Sequence, residues 1–142
     1  MNKSFLISVV GLFVVSMLLG MVVHGMMLHG DYAALPLLFR PEKDAEGYFG
    51  YMLFAHVLMA VGLTWIYRQG NVAGKPWLAQ GFRFGVAWAI AVCIPTYLIY
   101  YAVQPMPGSL VTKQILFDVV ATIILGLAVA FLNRNASKSS FA

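Results

Sequence analysis

Charge and cysteine are scarce in this chain. One cysteine, Cys93, stands among 142 residues, which excludes an internal disulfide and any zinc motif built on cysteine pairs. Charged residues make up 10% of the sequence and only five are acidic, where a soluble domain carries about 25%. The nine basic residues are spread thinly, so the net charge of +4 offers no continuous basic face of the kind a phosphate backbone requires. Nucleic acid is therefore excluded as a partner. There is no Gly-x-Ser-x-Gly nucleophile elbow, no phosphate-cradling glycine loop and no His-Glu-x-x-His pair. A serine hydrolase, an ATP-driven pump and a zinc protease each lack their usual machinery. An internal repeat is also missing, which leaves an inverted-repeat transporter unsupported.

What the chain does have is hydrocarbon. Apolar residues form 61% of it, and they fall into four runs at 5–28, 49–67, 82–103 and 110–132. Each is close to the ~20 apolar residues that a membrane-spanning helix needs. The first run is longer than the roughly 7–15 residues of a signal-peptide core and no Ala-x-Ala-like site closes it, so it is expected to be a retained helix. The expected fold is all-α: one domain over residues 1–142, with four transmembrane helices in an antiparallel bundle. An outer loop occupies 29–48, and a polar tail over 133–142 is expected to fray.

The basic residues set the orientation. With alternating helices, Lys3, Arg68, Lys75, Arg83, Arg134 and Lys138 share one side, while Arg40, Lys43 and Lys113 share the other. The excess of positive charge marks the cytoplasmic side, so both termini are expected inside and the 29–48 loop outside. That loop contains Leu35-Pro-Leu-Leu-Phe39, apolar enough to lie in the interface or to dock on a partner.

Residues four apart share a helix face. On that period the first run gives Ser16, Gly20 and His24, and the second gives Met52, His56, Ala60 and Thr64. The third gives Gly81, Gly85, Ala89, Cys93, Tyr97 and Tyr101, and the fourth Asp118, Thr122, Gly126 and Ala130. Stripes of small and polar residues are where helices approach closely in lipid, which assigns packing to Gly20, Gly81, Gly85 and Gly126. His24, His56 and Asp118 lie on these stripes, and each falls toward the outer end of its helix. A lipid-facing Asp would cost about 2.5–3.5 kcal/mol, so these residues are expected to face the bundle interior in a polar pocket that opens outward, with Tyr97 or Tyr100 adding a hydroxyl. Plainer readings exist for some of these residues: His29 beside Gly30 is a solvated cap, and Asp118 also suits a helix start. His56, deep between Ala55 and Val57, needs a partner or a ligand.

Several chemistries fit such a pocket. His24 and His56 are the one pair suited to bis-histidine ligation of haem b. His24, His56 and Asp118 are ligand types suited to zinc. A histidine, a carboxylate and tyrosines also suit the polar head of a quinone or lipid. A proton or small-solute pathway through an oligomer would need polar groups in the inner half, which offers only Ser16, Thr64 and Arg83. With no catalytic arrangement in view, the expected role is non-catalytic: an accessory, assembly or interaction subunit, alone in lipid, as a homo-oligomer, or beside other membrane subunits.

The segments Leu28-His-Gly-Asp-Tyr32, Phe39-Arg-Pro41, Tyr97-Leu-Ile-Tyr-Tyr101 and Gln104-Pro105 resemble those of small four-helix membrane proteins of the bacterial inner membrane. The resemblance implies that location and carries no reaction with it.

Overall fold

The computed structural model describes residues 3–135. The tail expected to fray, with Lys138, lies outside the described residues from position 136 onward. Every regular element among the described residues is helical, and four helices are long and apolar enough to cross a membrane. They are α1 (Lys3–Met27), α3 (Glu42–Gly70), α4 (Trp77–Val103) and α5 (Gly108–Leu132); the short α2 (His29–Ala33) follows α1. Mean hydropathy over their most apolar stretches runs from 1.7 to 2.7, yet no more than 33% of any such stretch is buried. The apolar surface therefore faces outward, as it does when the solvent is lipid.

The helix starts are set by proline and charge. α3 begins at Glu42, ahead of the apolar run: one α turn (Glu42–Ala45) and a 3-10 turn (Glu46–Tyr48) lead into Phe49–Gly70. Pro41 precedes that start, Glu42 and Asp44 complement the positive end of the helix, and Arg40 pairs with Asp44 at 2.8 Å. Pro76 and Pro107 precede α4 and α5 in the same way. The turn between α3 and α4 is held by Gln80, whose side chain accepts from Val72 N (2.7 Å) and donates to Lys75 O (3.0 Å).

Two helices carry a wide, π-helical turn. In α1 it spans Met21–Met27, and Leu28 N–H bonds back to Val23 O at 2.9 Å. In α4 it spans Ala89–Cys93, directly ahead of Pro95, which has no N–H to continue the ladder.

α1 packs against α3 and α5, and α5 packs closely along α4. α4 and α5 touch through glycine: a Cβ on Gly126 would lie 2.7 Å from Gly85 Cα, and one on Gly81 would lie 2.7 Å from Gly126 O. Gly20 instead faces the His56 ring, 3.4 Å from its Cβ position. α3 and α4 meet near the chain termini, where Tyr67 and Phe84 stack edge-on at 5.4 Å. Beyond that contact the two helices touch little.

The buried apolar residues form two clusters. Leu12, Ala60, Leu63, Leu125 and Val129 fill the part nearer the termini, while Val23, Leu28, Leu110 and Ala121 fill the part nearer α2. Leu35 and Phe39 fold back onto the second cluster, whereas Leu37 is 99% exposed. Half of the apolar loop thus packs on its own helix ends. Asp31 and Lys113, bonded at 2.8 Å, tie α2 to α5 from the surface, a contact worth at most about 1 kcal/mol.

Candidate functional site

Polar side chains gather at the α2 end. The π-helical turn carries His24 to a point between Tyr32 of α2 and Asp118 of α5: Nδ1 lies 2.7 Å from Tyr32 Oη and Nε2 lies 3.4 Å from Asp118 Oδ2. Tyr97 of α4, one half-turn beyond Pro95, donates its hydroxyl to the same Asp118 oxygen. Gln114, one turn before Asp118 on α5, donates to Tyr32 Oη at 3.3 Å. Three spanning helices and α2 thus contribute to one cluster. It is partly open, with the His24 and Asp118 side chains 39% and 17% exposed.

His56 stands apart from that cluster, within electrostatic reach of His24. Its Nδ1 lies 2.9 Å from Ser16 Oγ, and Ser16 Oγ in turn donates to Phe13 O at 2.8 Å. Of the residues expected to form the pocket, His24, Asp118 and Tyr97 come together. His56 lies alongside on Ser16 and Gly20, and Tyr100 is exposed on α4. Among the described residues no three His, Cys, Asp or Glu side chains are grouped to hold a metal ion.

Tyr32 and Gln114 belong to the cluster and were not legible as members. Gln114 does lie four residues before Asp118, on the same stripe. Tyr32 has no periodic signal, because it sits in a separate short helix. Burial raises the Tyr32 phenol above its ordinary value of 10.0, the Gln114 bond opposes this, and the charges of Asp118 and Asp31 add to it. Tyr32 is therefore a protonated donor throughout the physiological range.

Tyr32 Oη accepts from Gln114 and keeps its own hydrogen to donate within the cluster. Ser16 Oγ lies within hydrogen-bond distance of both Phe13 O and His56 Nδ1, so it bridges the α1 backbone and the α3 ring.

A second polar cluster lies at the far end of the molecule. Arg68 of α3 donates from Nε to Asn133 Oδ1 (2.6 Å) and from Nη2 to Ser4 Oγ (2.8 Å). Ser8 shares its hydroxyl hydrogen between Ser4 O (2.9 Å) and Asn133 Oδ1 (3.2 Å). This clasp ties the start of α1 to the ends of α3 and α5. Extending the period-four stripe of α1 backwards, through Leu12 to Ser8 and Ser4, would have pointed to it.

Fold and site together define a multi-pass membrane protein with a polar centre toward one end of its spans. Compared with protein-family models, curated proteins and solved structures, the chain matches none.

Proposed function

We propose that this is a non-catalytic accessory protein of the bacterial inner membrane that works by holding a small ligand from the outer leaflet. In this reading the four spans form an antiparallel bundle with both termini cytoplasmic and α2 outside. The distribution of basic residues supports that orientation: Lys3, Arg68, Lys75, Arg83 and Arg134 fall at one end and Arg40, Lys43 and Lys113 at the other.

The observation that carries the reading is the convergence of His24, Asp118 and Tyr97 from three spans at a partly open position. Ionisable groups at membrane depth are costly, and their usual place is a site with a partner or ligand. Haem ligation draws less support, because both His24 ring nitrogens already have partners. A proton pathway meets a dry layer. Ser16 and Ser8 are eight residues apart, ~12 Å along the helix, and Leu12 and Ala60, both 0% exposed, lie between these polar levels.

Native mass spectrometry from mild detergent tests the proposal. The wild-type chain is expected to carry a bound small molecule that Asp118→Asn loses while keeping its helical content and melting behaviour. A wild-type chain that arrives bare overturns the reading.

A further inference from the structure

We propose that the end of the molecule carrying the chain termini binds an anionic phospholipid, whose phosphate is held by Lys75 and Arg83 at the start of α4.

Charge is divided between the two ends. Lys3, Arg68, Lys75, Arg83 and Arg134 stand at the termini end, with no aspartate or glutamate among them. All five acidic residues, Asp31, Glu42, Asp44, Glu46 and Asp118, belong to the α2 end and its loop. The ion pairs of the described residues, His24–Asp118, Arg40–Asp44 and Lys113–Asp31, are at that end too. The cations at the termini end therefore have no carboxylate to meet. Arg68 is engaged by Asn133 and Ser4, and Arg134 lies over the Phe131 ring at 3.8 Å. Lys75 and Arg83 are exposed, and neither side chain makes a polar contact with a described residue.

Local structure sets these two cations on one side of α4. Gln80 accepts from Val72 N–H at 2.7 Å and donates to Lys75 O at 3.0 Å, which pins the turn carrying Lys75 against the first turn of α4. Arg83 is three residues beyond Gln80, on the same helix face. Side chains on a helix lean toward its N-terminus, and one turn before Arg83 stands Ala79, exposed and too small to block it. The Arg83 guanidinium thus reaches back toward the level of Trp77, whose indole meets Phe131 at 5.5 Å and suits the headgroup region.

Depth favours lipid as the source of the phosphate. Arg83 lies six residues past Trp77, ~9 Å along α4, between Phe82 and Phe84 at the start of the apolar run. An ionisable side chain there is costly without a partner, and a free anion in water does not reach it. A lipid phosphate sits at that boundary while its chains stay in hydrocarbon beside the exposed Leu78 and Phe82. The planar guanidinium matches two phosphate oxygens and Lys75 adds a point charge. A zwitterionic lipid brings an ammonium group as well, which these two cations repel.

The test uses the full chain in a mild non-ionic detergent, offered equal amounts of phosphatidylglycerol and phosphatidylcholine of distinct mass, with bound lipid read by native mass spectrometry. Wild type is expected to retain phosphatidylglycerol with about tenfold preference or more. Lys75→Gln with Arg83→Gln is expected to reduce that preference about fivefold for each cation lost. Arg40→Gln with Lys43→Gln, at the other end, and Asp118→Asn are expected to leave it unchanged, so this site is read separately from the His24–Asp118 cluster. Each variant is first shown to melt like wild type. Equal retention of both lipids by wild type overturns the proposal, as does a preference that survives loss of Lys75 and Arg83. Loss of the preference in the Arg40/Lys43 variant to the same extent overturns it too, since overall charge would then be the cause. Displacement of the lipid by millimolar inorganic phosphate overturns the lipid assignment.

Discussion

Gly126→Ala is expected to destabilise the protein by about 1–3 kcal/mol, and Gly126→Leu is expected to separate α4 from α5. A Cβ at position 126 would lie 2.6 Å from Gly85 N and 2.7 Å from Gly85 Cα. The reciprocal position is equally closed, since a Cβ on Gly85 would lie 2.7 Å from Ile123 Cα. What stands in the way is backbone on both sides, which cannot rotate aside as a side-chain tip can. Between helices in lipid the association comes largely from this close packing, because lipid tails are as apolar as leucine. Pushing the helices apart also moves Asp118, two turns from Gly126, away from Tyr97. Thermal unfolding in mild detergent, followed by circular dichroism, measures the effect. Gly62→Ala is the control: nothing lies within 4 Å of its Cβ position, so it should be neutral or slightly stabilising. A Gly126→Ala variant that melts with wild type would show that the close approach does not hold the pair together.

Asn133→Ala is expected to cost about 1–3 kcal/mol, a large effect for one residue beside the chain's polar tail. Asn133 is 0% exposed, accepts from Arg68 Nε at 2.6 Å and from Ser8 at 3.2 Å, and donates to Val129 O at 2.7 Å. No carboxylate faces Arg68 among the described residues; the guanidinium donates to the amide oxygen and to a serine hydroxyl. Alanine would leave the guanidinium with one fewer acceptor, and Ser8 with only a backbone carbonyl. Asn133→Asp keeps the acceptor and places a negative charge beside Arg68, so it should recover much of the loss. Parallel melts of the two variants check this, and equal destabilisation by both would contradict the role given to the Arg68 contact.

The four spans were legible in the sequence for a physical reason. A helix in lipid needs ~20 apolar residues, and soluble-protein ambiguities do not arise over such lengths. Helix starts were less legible. The apolar run at Phe49 marks where hydrocarbon begins, but the acidic turn after Pro41 is also helical and extends α3 back to Glu42. Period-four stripes placed His24, Asp118 and Tyr97 on inward lines, and they marked the glycines where α4 and α5 touch. The stripes could not show the wide turn over Met21–Met27, where one extra residue per turn rotates the His24 end of α1. Asn133 read as the first residue of a tail, and its partners lie 125 and 65 positions away, on Ser8 and Arg68.

The contact between Tyr97 and Asp118 tests the site most directly, because it joins α4 to α5 beside His24. A double-mutant cycle of Tyr97→Phe and Asp118→Asn, followed by thermal unfolding in mild detergent, reads the coupling between the two side chains. The expected result is a coupling of about 0.5–3 kcal/mol. Strictly additive effects of the two substitutions would contradict the arrangement.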